Sequence, residues 1–151
     1  MKQLIIRQYQ QIVDSAAQQM TITMPPEGWL RTVRSALGMS GAQLARKMGL
    51  TRSQISQSEK NELSGAISLK TMQALAEAMN CRVVYALVPN ATIEEIVANQ
   101  AQKKAEQLVR QTHIHMALES QALNSEQLQI EEQRIKYELI REMPNDLWND
   151  N

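Results

Sequence analysis

Three side chains with hydrogen-bonding groups suited to flat polar ligands lie close together in the sequence: Arg52, Ser53 and Gln57. On the short helix predicted there, they share the outer face near its start, while Ile55 points inward. An arginine can bond guanine through two hydrogen bonds and a glutamine can do so with adenine, each pair contributing roughly 1–3 kcal/mol of discrimination. These three residues are therefore candidate contacts to base edges in the major groove of double-stranded DNA.

Charge is distributed very unevenly along the chain, although the formal net charge is zero. Residues 29–60 carry six basic side chains and one acid, a net charge of +5, whereas residues 91–151 carry six basic side chains and eleven acids, a net charge of −5. The basic middle suits a polyanion and the acidic end does not. The candidate phosphate contacts, which contribute affinity without sequence information, are Arg31, Arg34, Arg46, Lys47, Thr51, Gln54 and Lys60.

Two capping boxes mark the helices that must position these residues. Ser40 is followed three residues later by Gln43, and Thr51 by Gln54, so each hydroxyl can cap a helix whose third residue bonds back. We therefore expect Gln54 to be occupied with capping. Gly49 lies between the two helices and supplies the positive φ of a tight turn. The predicted helices of the basic block span residues 29–37, 40–48, 51–59 and 68–79.

The flanking regions also read as helices, because the 151-residue chain has no Phe and only 3% aromatic residues, and its apolar residues recur at helical spacing. Residues 3–20 form an amphipathic pattern that ends before Pro25 and Pro26. A third capping box at Thr92 opens a helix to about residue 118, and Ser125 is predicted to cap another that ends near residue 142.

Residues 81–88 are the single predicted strand, rich in β-branched residues and closed by Pro89. A lone strand cannot satisfy its own backbone, so it needs a partner: either residues 21–24 or the same strand of a second chain. We favour the second chain, because a two-fold homodimer also suits the reading of an inverted repeat. The residues of this dimer strand are Arg82, Val83, Val84, Tyr85, Ala86 and Leu87.

The block from residue 40 to residue 60 resembles the helix-turn-helix of phage-repressor-like Xre regulators, through Ala45, Gly49, Ile55 and Glu59 at the expected spacing. It departs from that pattern at Gly41, where the family often has a phosphate-contacting Gln, and at Ser58, where an apolar residue is common. The resemblance implies a DNA-binding regulator.

A narrower resemblance covers most of the chain and is to the mobile mystery protein A group, small helix-turn-helix proteins typically encoded beside a Fic-domain protein. The segments that carry it are residues 25–29 (PPEGW), 34–40 (RSALGMS), 69–72 (LKTM), 81–89 (CRVVYALVP), 116–119 (MALE) and 147–148 (LW). It implies an antitoxin-like repressor of a Fic toxin. The Fic inhibitory motif, Ser/Thr-x-x-x-Glu-Gly/Asn, is absent from the sequence, so any restraint of a toxin would use another contact.

Several classes of function are disfavoured by the sequence. No Ser-His-Asp arrangement, glycine-rich phosphate loop or paired carboxylates indicate an enzyme, and no cofactor is expected. His113 and His115 are two residues apart and so do not share a helix face as metal ligands would. One cysteine excludes an internal disulfide. No apolar run could span a membrane or serve as a signal peptide, so we expect a cytoplasmic protein.

The sequence thus predicts a mainly α protein: a helix-turn-helix bundle with one short dimer-forming β-strand and C-terminal helices. Its parts are an N-terminal helix and linker (1–26), the DNA-binding domain (27–80), the dimerisation strand (81–90) and an acidic helical region (91–151). The acidic helices either pack on the N-terminal helix and complete the dimer, or form a partner-binding arm with Leu147 and Trp148 as its anchor. The expected function is sequence-specific repression, as the autoregulating antitoxin of a Fic-type pair. The alternative is a toxin-neutralising interaction module that binds DNA weakly.

Overall fold

The computed structural model describes residues 1–118 and 124–150, in which seven helices and no strand are found. The chain divides into two compact units. We call Thr21–Ala86 the central unit, and Met1–Met20 with Leu87–Asn151 the terminal unit. The helices are α1 (Lys2–Gln19), α2 (Trp29–Ala36), α3 (Gly41–Met48), α4 (Arg52–Ser64), α5 (Leu69–Ala78), α6 (Ile93–Leu118) and α7 (Ser125–Glu142).

The core of the central unit is made of aliphatic side chains from four short helices. Leu44 and Ala45 of α3, Ile55 of α4 and Leu75 of α5 are buried together, and Leu30 of α2 completes the cluster. Short helices are marginal in isolation, so this shared core is what stabilises them. The small side chain of Ala45 is buried in the core that α3 and α4 share, as the helix-turn-helix pattern requires.

The predicted caps of α3 and α4 are confirmed. The Ser40 hydroxyl accepts a hydrogen bond from the Gln43 amide at 3.1 Å, and the Gln43 side chain accepts one from the Ser40 amide at 2.8 Å. Thr51 and Gln54 form the same reciprocal pair. Helix α4 runs five residues beyond its predicted end because no helix-breaking residue occurs before Gly65, which ends it with φ +80°.

The terminal unit is built mainly from α6 and α7. Val97 and Ala101 of α6 are buried with Leu147, which follows α7, and further down α6 Ala105 and Val109 are also buried. Helix α1 lies on α6 and buries none of its own residues fully. Its Lys2 ammonium donates to the Met143 carbonyl at 3.2 Å. The C-terminal region therefore contacts the N-terminal helix, which agrees with the first half of one reading of the acidic region; completion of a dimer by these helices stays a prediction.

One local prediction in the terminal unit needs correction, and another is confirmed. Asn124, not Ser125, caps α7: its side chain accepts from the Gln127 amide at 2.8 Å, so Ser125 is the first residue inside the helix. The capping box at Thr92 is confirmed, since its hydroxyl accepts from the Glu95 amide and the Glu95 carboxylate accepts from the Thr92 amide.

The predicted strand does not form within the part of this chain that the structure describes. Residues 82–90 make no backbone hydrogen bond to other described residues, and residues 21–24 are equally irregular, so pairing between these two segments is wrong. The physical reason is that a strand exists only as part of a ladder, and residues 1–118 and 124–150 contain no second segment that pairs with it. The affected residues are Arg82, Val83, Val84, Tyr85, Ala86 and Leu87.

Candidate nucleic-acid interface

The turn between α3 and α4 sets the direction in which α4 leaves the core. Gly49 adopts the left-handed conformation, with φ +67° and ψ +28°, which a glycine reaches without a Cβ penalty. The Leu50 amide donates to the Ala45 carbonyl at 2.8 Å, which closes the end of α3. The chain then re-enters a helix at Thr51 after only one further residue. This tight connection lets α4 bury Ile55 while its opposite face stays in solvent.

The structure brings the three predicted base-contacting residues onto that solvent-facing side of α4. Arg52, Ser53 and Gln57 are all exposed in the first two turns. The Gln57 amide donates to the Asn61 side-chain oxygen at 2.9 Å, an exposed bond that can be exchanged for one to a ligand. Arg52 forms no ion pair with any described residue. The first two turns of the helix thus present an unpaired guanidinium and two polar side chains together.

Gly41 lies beneath the stem of Arg52. A Cβ placed on Gly41 would be 3.9 Å from the Arg52 Cγ, in ordinary van der Waals contact. A cleft of about 350 Å³ opens beside them, with Ser56 of α4 and Arg31 of α2 also in its wall. With glycine at position 41, the cleft leaves open space next to Arg52. The side chain of Arg52 therefore has more freedom of approach than a buttressed one.

Most of the predicted phosphate contacts are available at the surface. Arg46, Lys47 and Lys60 are exposed and unpaired among the described residues. Arg31 pairs with Glu27 at 3.7 Å, but both side chains are more than half exposed, so this ion pair contributes little and is readily exchanged. Thr51 and Gln54 are exposed and engaged in the cap of α4.

Arg34 is the exception among the predicted phosphate contacts, because its side chain is engaged inside the unit. Its guanidinium binds the Glu59 carboxylate through two hydrogen bonds, Nε to Oε1 at 2.8 Å and Nη2 to Oε2 at 3.2 Å, and donates a third to the Met39 carbonyl at 3.0 Å. The side chains are only 17% and 12% exposed. Three of its five N–H donors are thus used inside the unit, so Arg34 joins α2 to α4 and is less available to a phosphate than the exposed cations are.

Sequence reasoning missed a second acid with a structural role, Glu62. Its carboxylate accepts from the backbone amides of Trp29 and Leu30 at 2.7 and 2.9 Å, and so caps the N-terminus of α2 from α4. Gly28 must be a glycine here, since it has φ +84° and an added Cβ would lie 3.0 Å from the Glu62 carboxyl carbon. The available signal was the spacing, since Glu62 follows Glu59, the one acid of the basic block, by three residues and so lies on the same helix face.

Residues 30–85 match the helix-turn-helix family HTH_3, which spans α2 to α5 and most of the irregular segment that follows. This stretch is an Xre-type helix-turn-helix domain. Such domains occur in DNA-binding regulators that are typically not enzymes. No curated protein and no solved structure matches the chain. The narrower resemblance to the mobile mystery protein A group stays a prediction.

The two residues predicted to anchor a partner, Leu147 and Trp148, differ in exposure. Leu147 is 1% exposed and lies in the core with Val97 and Ala101, so it is not free to anchor a partner. The reason is that the segment after α7 folds back: the Gln100 side chain donates to the Leu147 carbonyl at 2.9 Å, and Lys104 donates to carbonyls of the same segment. Trp148 is exposed.

Among the described helices, none combines the length and the apolar character that a membrane span requires.

Proposed function

We propose that the protein is a sequence-specific DNA-binding transcriptional repressor that binds an inverted-repeat operator as a homodimer. The observation that carries this proposal is the exposed group of Arg52, Ser53 and Gln57 on the first turns of α4, held outward by the buried Ile55 and the cap at Thr51. A helix presented in this way can enter the major groove and offer its first side chains to base edges.

The exposed cations around α4 supply the affinity that does not depend on sequence. Arg31, Arg46, Lys47 and Lys60 remain after Arg34 is removed from the set, with Thr51 and Gln54 as neutral phosphate contacts. Four cations per protomer make about eight in a dimer, so the logarithm of the binding constant should fall with the logarithm of salt concentration at a slope of about −7. A slope near zero would contradict phosphate binding by this surface.

The dimer interface in this proposal is the segment from Arg82 to Leu87. Its backbone groups have no partner among the described residues, and Val84, Tyr85 and Leu87 are exposed large apolar side chains. Antiparallel pairing with the same segment of a second copy would satisfy the backbone and cover these side chains. A proline at Val84 should break this ladder and yield a monomer in sedimentation experiments, while Val84→Thr should remain dimeric.

Titration of the purified protein against its own upstream DNA and a scrambled duplex, at low and near-physiological salt, tests DNA recognition. Arg52→Ala should weaken operator binding by roughly 5- to 150-fold, equivalent to 1–3 kcal/mol, and leave the scrambled duplex nearly unaffected. Lys47→Ala is the matched control and should weaken both duplexes alike. Equal losses on both duplexes for Arg52→Ala would assign it to phosphate. A wild-type protein without any preference would refute sequence-specific repression.

A second role, neutralisation of a Fic-type toxin, is favoured by one feature of the acidic terminal unit. Ile130, Tyr137 and Trp148 are large apolar side chains that remain exposed there, and such residues anchor protein partners. If toxin neutralisation were the main function of the protein, the helix-turn-helix would bind DNA only weakly. Tyr137→Ser with Trp148→Ser should abolish neutralisation of a co-expressed Fic-domain protein and leave operator binding intact. Unchanged neutralisation would remove these residues from the proposal.

A further inference from the structure

The central unit contains a cavity of about 260 Å³ that has no part in the DNA-binding surface described above. Trp29 and Val33 of α2 form one wall and Met72 and Ala76 of α5 another. The residues from Cys81 to Val84 also line the cavity, which is partly open to solvent, and Arg82 and Val84 are exposed. The lining is almost entirely apolar. An apolar cavity of about 150 Å³ is already large enough to bind benzene. The cavity therefore has room for a bicyclic aromatic group or a medium-length acyl chain.

Among the polar side chains that line this cavity, only one has no hydrogen-bond partner within the described part of the chain. The Trp29 indole donates its N–H to the Met24 sulfur at 3.0 Å, and the Cys81 thiol donates to the Met79 carbonyl at 3.4 Å. Arg82 is the one charged residue in the lining and has no hydrogen bond or ion pair to any described residue. A guanidinium presents a planar fork of donors that matches a carboxylate. The site thus combines an apolar chamber with one unpaired cation.

We propose that this cavity binds a small amphipathic carboxylate, whose apolar body lies between α2 and α5 and whose carboxylate is bound by Arg82. Charge complementarity selects the head group and the volume limits the body to a medium-chain or bicyclic acid. A neutral molecule of the same shape would bury the same apolar area but leave Arg82 unpaired. The carboxylate should therefore bind at least about tenfold more tightly than its neutral analogue, a difference of 1.4 kcal/mol.

Binding at this site would regulate the repressor, an extension that rests on the dimer proposed above. Arg82, Val83 and Val84 belong both to the cavity and to the segment that pairs across the dimer. A bound ligand holds these residues in place, so less conformational entropy is lost when the segment pairs. The ligand should therefore favour the dimer and tighten operator binding. Because coupling between two binding equilibria is reciprocal, dimerisation should tighten ligand binding by the same factor.

Fluorescence of Trp29 gives a test that needs no DNA. The chain has two tryptophans, so Trp148→Phe leaves Trp29 in the cavity wall as the only reporter. Octanoate should give a saturable change in its emission, and 1-octanol should do so only at least about tenfold more weakly. Arg82→Gln should reduce octanoate affinity to that of octanol. Lys70→Gln removes another exposed charge from the same unit, outside the cavity, and should leave octanoate affinity unchanged.

Five results would overturn the proposal. Equal binding of octanoate and octanol, or full octanoate affinity in Arg82→Gln, would remove the carboxylate site. If neither compound gave a saturable change in Trp29 emission, in the wild-type background or in Arg82→Gln, the cavity would not be a ligand site. Octanoate binding that appears only in the monomeric Val84→Pro variant would mean that the second copy fills the cavity. Binding without any shift of the monomer–dimer equilibrium would remove the regulatory role, whether or not the protein recognises an operator.

Discussion

Replacing Arg34 by methionine should destabilise the central unit by about 2–4 kcal/mol. Removing one member of a fully buried ion pair typically costs 3–5 kcal/mol, because the other charge is left buried and unpaired. Here the Glu59 side chain is 12% exposed, so limited access of water places the expected cost at the lower end, about 2–4 kcal/mol. A unit of this size is stable by roughly 3–10 kcal/mol, so the loss is large.

Urea unfolding followed by Trp29 fluorescence in a Trp148→Phe background measures this loss, since Trp29 lies on the same helix as Arg34. The double variant Arg34→Met/Glu59→Leu removes both charges and should lose no more than about 1 kcal/mol. Arg31→Met is the matched control: that side chain is exposed, and its pair with Glu27 should contribute less than about 1 kcal/mol.

The reasoning would be refuted if Arg34→Met cost no more than Arg31→Met, or if the losses of the two single variants simply added in the double variant. Additive losses would mean that Arg34 and Glu59 do not interact in solution. The double variant also tests the exclusion of Arg34 from the DNA surface. It should retain the wild-type salt dependence of DNA binding, because we expect Arg34 to make no phosphate contact; a slope shallower by about two per dimer would restore Arg34 to that role.

Three further predictions concern the caps and the terminal unit. Thr51→Ala should cost about 1 kcal/mol in urea unfolding, since it removes the cap of α4; no loss would mean the cap contributes nothing. Leu147→Ala should cost about 2–5 kcal/mol in thermal unfolding followed by circular dichroism, whereas Trp148→Ala should cost less than about 1 kcal/mol; equal losses would contradict the folded-back segment. The Gln100 amide, and then the Lys103 ammonium, hold the pKa of Asp150 below its ordinary value. The contribution of Asp150 to stability is therefore present at neutral pH and lost as the pH falls through that lowered pKa. Trp148 emission should report this loosening, and a step that persists in Asp150→Asn would assign it elsewhere.

The predicted strand at residues 81–88 shows most clearly where amino-acid composition fails to predict structure. Residues 81–88 have the β-branched and aromatic content of a strand, and their sequence gives no indication of which segment would pair with them. Helix hydrogen bonds close within four residues, so a helix can be predicted from its own segment. A strand has its hydrogen bonds to another segment, and that segment is absent from the described part of a single chain.

The helices of the basic block, the caps at Ser40 and Thr51 and the turn at Gly49 could be predicted from local sequence, because each depends on residues at most four positions apart. The exposed face of α4 could be predicted too, since the position of Ile55 fixes which side of the helix is buried. Which charged and apolar side chains are free for a ligand depends on the folded structure. Arg34 and Lys47 are both basic residues of the same block, and the sequence does not distinguish them as phosphate contacts. In the structure Arg34 is paired with Glu59, 25 residues away. Burial and long-range pairing depend on the neighbours that folding supplies, and no local pattern encodes them.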